Sequence, residues 1–183
     1  MPIRYDKPDA SDGADMWALA REAGTLDLNT PYYYLTFAGV FDDTCIVAKS
    51  DAGKVVGFIA GFRPPRQPDT LFVWQIATAP SYRGRGLAHK MLRDLLSRLA
   101  EDGVRYLNAT VTPSNEASDR MFRSFAERTG APCEESLFFP ADYFPEGDHE
   151  EERLLRIGPF AAGALRENEG ELVKTGGDGD GIA

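Results

Sequence analysis

At 183 residues, with 43% hydrophobic and 27% charged side chains, the chain has room for one α/β domain with a sizeable core and a short tail, and not for two full domains. Twenty basic against twenty-nine acidic residues give a net charge of -9, which argues against a nucleic-acid partner; no apolar run approaches the roughly 20 residues that span a bilayer, so no membrane insertion is expected. Met1 to Asp6 carries no secretory-signal pattern, making the cytoplasm the expected location, while Cys45 and Cys133 read as reduced, buried thiols and two histidines, His89 and His149, are too few for a metal site.

In chain order, Ile3 to Tyr5 reads as a short strand. A helix follows from near Ser11 to Ala23, stopped by Gly24, with Trp17, Leu19 and Ala20 on its inner face. Thr30-Pro31 supplies an N-cap and a first helical residue for a second helix carrying Tyr32 to Leu35, close to whatever Asp27 faces. Cys45 to Lys49 and Val55 to Phe62 are apolar, β-branched runs joined by the polar Ser50 to Lys54, an antiparallel hairpin. Pro64, Pro65 and Pro68 stiffen the loop after it, and Leu71 to Ala77 is the next strand, broken by Pro80.

Leu87, Met91, Leu92, Leu95, Leu96 and Leu99 recur with helical period and predict a helix over Leu87 to Ala100, stopped by Gly103. Tyr106 to Val111 reads as a strand, Asn115 to Arg128 as a helix ending near Gly130, and Cys133 to Phe139 and Glu151 to Ile157 as the last strands. This order describes a mixed sheet flanked by helices, not a Rossmann alternation, in one domain over residues 1–165. Charge and then glycine dominate 166–183, a tail expected to be flexible; its Asp178-Gly179-Asp180-Gly181 opens like a calcium loop but lacks the later glutamate.

The most informative stretch is Arg83-Gly84-Arg85-Gly86-Leu87-Ala88, which joins a strand to a long helix. Such a helix start exposes unpaired N–H groups and the positive end of the dipole, a ready site for phosphate. Gly84 and Gly86 lack a Cβ and let backbone and ligand approach, and Arg83 and Arg85 add charge. A dinucleotide fingerprint would need glycine or alanine where His89 stands, and a Walker motif would need Gly-Lys-Ser/Thr; neither is present.

The segment instead resembles the Arg/Gln-x-x-Gly-x-Gly/Ala signature of the GNAT acetyltransferases, and the element order is similar too. The resemblance implies a mostly antiparallel central sheet and acetyl-CoA as co-substrate, with no metal. It also implies a splay in the strand at Ile76, Ala77 and Thr78, whose main chain meets the pantetheine arm and the thioester, and an oxyanion held by one of those amides. Asn115 matches an asparagine that often contacts the cofactor, and reads equally as a plain N-cap. Where many members carry a tyrosine acid, this chain has Met121-Phe122-Arg123-Ser124-Phe125 and no phenol.

A narrower likeness runs from Asp27 to Pro159. Leu26-Asp27-Leu28-Asn29, Tyr32-Tyr33-Tyr34-Leu35, Asp43 to Ala48, Pro68 to Gln75, His149-Glu150-Glu151-Glu152 and Arg156-Ile157-Gly158-Pro159 resemble the L-2,4-diaminobutyrate acetyltransferases of ectoine biosynthesis. That likeness implies acetylation of the 4-amino group of diaminobutyrate by a homodimer, with Asp27, Trp74, His149 and Glu152 at the substrate and a tyrosine, Tyr34, nearby. Glu152 or Asp27 is the expected base, and Trp74 a wall or a cation–π partner. Each has a plainer reading: Asp27 as a helix cap, Trp74 as core, His149 and Glu152 as a solvated acidic run. Other functions open to the same sequence are acetylation of another small amine and a non-catalytic acyl-CoA sensor.

Overall fold

A seven-stranded sheet in the order β1-β2-β3-β4-β5-β7-β6 organises the chain. The computed structural model describes residues 2–24, 28–145, 147 and 149–166; Asp27 and residues 167–183 of the expected tail lie outside them.

Strand β1 (Arg4–Asp6) leads through a 3-10 turn into helix α1 (Gly13–Ala23). Asp9 and Asp12 form a reciprocal capping box around that turn, which satisfies donors that would otherwise be left over. Gly24, at φ 64, ends the helix in the left-handed region. The buried face of α1 is Met16, Leu19, Ala20 and Ala23. Trp17, expected inside, is half-buried and carries the Arg21 guanidinium 4.5 Å above its ring, because i to i+4 spacing pairs the two on the helix flank. Helix α2 (Pro31–Gly39) crosses α1 so closely that a Cβ at Gly13 would meet the Leu35 backbone at 2.9 Å.

Strands β2 (Ile46–Lys49) and β3 (Val55–Phe62) form the expected hairpin, and β4 (Thr70–Thr78) adds antiparallel to β3. Gly57 on β3 faces Met91 and Leu87, whereas Phe58 meets Tyr34 of α2 at 6.0 Å between ring centroids. Neighbouring strand residues point to opposite faces, so α2 and α3 (Leu87–Ala100) cover the two sides of the sheet. The six apolar residues of the α3 pattern are all buried, each contributing about 1.5–3 kcal/mol by leaving water. Strand β5 (Tyr106–Val111) lies parallel to β4, the one parallel pair among the described residues, and α4 (Glu116–Thr129) follows it, capped by Asn115 Oδ1 accepting from the Ser118 amide at 3.2 Å. Strand β7 (Glu152–Ile157) pairs with β5 and with β6 (Cys133–Phe139), which forms the outer edge.

Cys45 is buried, and burial pushes its thiol up to about 12. Cys133 is only half-buried, a departure from the sequence reading that follows from its position on the edge strand. Among the described residues no helix is long and apolar enough to cross a membrane.

Candidate active site

The site begins with a mismatch between β4 and its two neighbours. Against β3, Ala60 pairs with Gln75 and Gly61 with Val73, so Trp74 is an extra, bulged residue. Gly61 is required there: a Cβ would lie 2.8 Å from the Phe72 carbonyl oxygen. Against β5, the pairing runs from Thr70 to Val73 and stops, while β5 continues to Val111 alongside β7. Beyond the bulge the two parallel strands therefore diverge, and among the described residues Trp74 to Thr78 have no strand partner on their β5 side.

Two cavities open into this splay and share Ile76, Ala117 and Ser118 in their walls. The larger, about 910 Å³, is lined by Trp74, Gln75, Asn115, His149, Glu150 and Glu152 among others. The smaller, about 480 Å³, is lined by Ile76, Ala77, Thr78, Arg83, Gly84, Gly86, Leu87 and Ala88, together with His89 and Arg128. Their charges differ in sign. Glu116, Glu150 and Glu152 outnumber Arg120 in the first, while Arg83 and Arg128 line the second. A cationic amine and an anionic diphosphate would accordingly be drawn to opposite mouths of one passage.

In the smaller cavity, Gly84 at φ 73 and Gly86 at φ 74 wind the loop into α3, whose first turn lines the opening and has N–H groups with no partner inside the helix. Within the chain a Cβ at either position would touch nothing, so the positive φ, not crowding by protein atoms, is what calls for glycine. Arg83 is anchored, donating from Nη2 to the Ala23 carbonyl oxygen at 2.9 Å where α1 ends. Arg85 is exposed outside the cavity lining, with its guanidinium 5.4 Å from the Tyr82 ring centroid. A coenzyme A diphosphate fits this set of bare amides, glycines and cations.

In the larger cavity, the bulge turns Trp74 and Gln75, consecutive in the chain, toward the same helix. The Trp74 ring lies 5.4 Å from Tyr33 and 5.8 Å from Phe37, remains 53% exposed and lines the cavity. Gln75 accepts from the Tyr34 hydroxyl at 3.0 Å. Tyr34 itself is fully buried and stands behind the wall rather than in it, where burial raises its phenol despite bonds to Asn29 and Gln75. Asn29 and Gln75 are wall residues that the sequence reading did not single out; the cue for Gln75 was a polar residue inside an apolar strand.

His149 and Glu152 meet at the start of β7. The His149 ring stacks on Phe144 with centroids 3.9 Å apart, and its Nδ1 lies 2.6 Å from the Glu150 carbonyl oxygen. A carbonyl can only accept, so Nδ1 carries the proton and Nε2 faces Glu152 Oε1 at 3.7 Å. Glu150 Oε2 in turn accepts from Ser114, tying this loop to the start of α4. Asn115 both caps α4 and lines the larger cavity; it is not part of the smaller one. Phe122, 2% exposed, closes the wall where a phenol was missed in the sequence. Asp27 lies outside the described residues.

The sequence profile of the acetyltransferase (GNAT) family matches residues 14–126. The chain belongs to this family. It is 50% identical over 158 residues to the L-2,4-diaminobutyric acid acetyltransferase of Shouchella clausii, covering 86% of this chain and 88% of that one. The enzyme of the same name from Marinococcus halophilus is 47% identical, covering 86% and 91%. Among solved structures, the diaminobutyrate acetyltransferase EctA from Paenibacillus lautus, in complex with its substrate L-2,4-diaminobutyric acid and coenzyme A, superposes with a TM-score of 0.82 at 46% identity over 87% of this chain and 96% of that one. The mostly antiparallel GNAT sheet that the resemblance implied is thus the fold of this chain, with seven strands.

Proposed function

We propose that this acetyltransferase moves the acetyl group of acetyl-CoA to the 4-amino nitrogen of L-2,4-diaminobutyrate, giving N4-acetyl-L-2,4-diaminobutyrate for ectoine biosynthesis. The observation that carries this reading is the splay at Trp74, with an acidic, aromatic-walled cavity at one mouth and a cationic, glycine-lined helix start at the other. The names of the relatives support the same acceptor and donor.

Acetyl-CoA supplies an activated acyl carbon. The residues of the chain supply the rest. Arg83 and the first-turn amides of α3 hold the diphosphate, and the unpaired β4 edge at Ile76 to Thr78 receives the pantetheine arm, with one amide N–H donating a hydrogen bond to the developing oxyanion. At neutral pH nearly every acceptor amine is protonated, so a base must take one proton before attack. Glu152 is that base in this reading: it borders the larger cavity, with the His149 ring beside its carboxylate. Trp74 walls the pocket and meets the ammonium face-on. Attack forms the C–N bond and breaks C–S; with Phe122 where relatives carry a phenol, the leaving thiolate takes its proton from the new ammonium or from water.

The same reading includes a homodimer and a cytoplasmic location. An aromatic row runs from the half-buried Phe62 and Phe72 to the exposed Phe138 and Phe139, on a sheet whose edge strand β6 also exposes Leu137; a second copy would cover its exposed end. Two unpaired thiols suit a reducing compartment. Sedimentation of the wild type and of Phe139→Asp tests the dimer: a monomeric wild type would refute it. Thiol release from acetyl-CoA, compared for diaminobutyrate, lysine, ornithine and putrescine, tests the acceptor; faster turnover of any of the last three would favour another small-amine acetyltransferase, and no turnover at all would favour an acyl-CoA sensor.

A further inference from the structure

The sequence after Arg166 reads Glu167-Asn168-Glu169-Gly170-Glu171, an acidic alternation that the chemistry above does not use. The described residues show where it is delivered. Phe160 is buried against Phe125 of α4, with ring centroids 6.1 Å apart, and Leu165 is buried too. The Leu165 carbonyl oxygen then accepts from Ser97 Oγ at 2.9 Å, and the Arg166 carbonyl oxygen from Arg93 Nη1 at 3.4 Å. Ser97, Arg93 and His89 follow one another at four-residue intervals on one face of α3. The chain is therefore running along that face toward the start of α3. One turn beyond Arg93 lies His89, in the wall of the smaller cavity with Arg83 and Arg128. A helical turn, about 5.4 Å, takes only about two residues of extended chain.

That mouth is cationic. Arg83 and Arg128 line it and Arg93 stands one turn away; burial, then Arg128 and Arg93, lower the His89 pKa, so both guanidiniums bear on the same point. In an alternating sequence the three carboxylates share one side of an extended stretch and can face a row of guanidiniums together. A carboxylate near a helix N-terminus also gains from the dipole that attracts a phosphate. We propose that Glu167, Glu169 and Glu171 of the same chain occupy the cationic rim of the smaller cavity while coenzyme A is absent and are displaced by its phosphates. The proposal rests on reading the smaller cavity as the coenzyme A cleft. It gives the chain a competitor of its own, and the apparent affinity for coenzyme A falls with the fraction of molecules whose rim is open.

Calorimetric titration of the full chain with coenzyme A, at about 20 mM and about 500 mM sodium chloride, compares the wild type with the triple variant Glu167→Gln/Glu169→Gln/Glu171→Gln, each with and without Arg93→Gln. Exposed ion pairs hold the segment weakly, so the triple variant should bind coenzyme A about three- to tenfold more tightly at the lower salt. The ratio of the two affinities, in which the ligand's own salt dependence cancels, should approach one at the higher salt, where charges are screened within a few ångströms. With Arg93 neutral the gain should shrink, because the two sets of changes remove one interaction. A gain of equal size with Arg93 charged or neutral is plain repulsion between acidic residues and ligand, and overturns the docking. Should Arg93→Gln fail to fold, the exchange Asn168→Glu/Glu169→Asn decides: it keeps the charge and breaks the alternation, so repulsion predicts wild-type affinity and docking predicts tighter binding. An affinity that is unchanged or weaker in the triple variant overturns the proposal, as does a gain that survives at the higher salt. A gain that grows with protein concentration places the segment on a second copy and overturns docking within one chain. Absence of coenzyme A binding in every form overturns the cleft and the proposal together.

Discussion

Replacing Glu152 with glutamine keeps the side chain's length and shape and removes its charge and its capacity to accept a proton. Glu152 opens β7, its side chain is 18% exposed, and its Oε1 lies 3.7 Å from the oriented His149 ring. A positioned general base contributes about 10²–10⁴ in rate, which at about 1.36 kcal/mol per tenfold is roughly 3–5 kcal/mol of barrier. The carboxylate lines the larger cavity and not the smaller, so the affinity for coenzyme A should stay within about twofold, as for well-separated sites. Initial rates of thiol release with diaminobutyrate give the first quantity, and calorimetry with coenzyme A the second. A Glu152→Gln enzyme that retains more than a tenth of the wild-type kcat would shift the base to Asp27 or to solvent. An equal loss of coenzyme A affinity would mean that the two cavities had been assigned wrongly.

Gly86→Glu should remove measurable coenzyme A binding by placing a like charge at the diphosphate, while the positive φ costs about 1–2 kcal/mol and lowers Tm by roughly 2–8 °C; a variant that melts at that point yet binds normally would contradict the cleft. Lys49→Met leaves Asp12 buried without the partner now 2.6 Å away, and urea unfolding should show about 3–5 kcal/mol of lost stability with kcat unchanged at temperatures where the protein is folded. A loss under 1 kcal/mol, the ordinary worth of a surface pair, would show that solvent reaches the site. With its thiol pushed up to about 12, Cys45 carries almost no thiolate at pH 8, so a disulfide reagent should modify it only after denaturant is added; native-state labelling of Cys45 would refute its burial.

Much of this fold could be read from local pattern. The period of Leu87 to Leu99 gave α3 to the residue, and the polar Ser50 to Lys54 between two β-branched runs gave the hairpin, because both signals lie within one element. The cofactor loop was legible because its chemistry needs glycines and a helix start in sequence. The substrate side was not, because it depends on register between distant strands. Alternation along β4 sends Trp74 and Gln75 to opposite faces; only the pairing of Gly61 with Val73 shows the bulge that brings both toward α2. The same register puts Tyr34 behind Gln75 instead of beside the substrate. The stacking of His149 on Phe144 and its approach to Glu152 form across a loop with no periodicity, so likeness to a family could nominate His149 and Glu152 but could not say which ring nitrogen faces the carboxylate. Arg85 lies outside the cavity lining because an exposed side chain settles on a nearby ring, here that of Tyr82.

The most direct measurement is mass spectrometry of the product formed from acetyl-CoA and L-2,4-diaminobutyrate, with fragmentation to locate the new group. One acetyl on the 4-nitrogen is the expected result. Acetyl on the 2-nitrogen, or no acetylated product while coenzyme A still binds, would contradict the account of the two cavities.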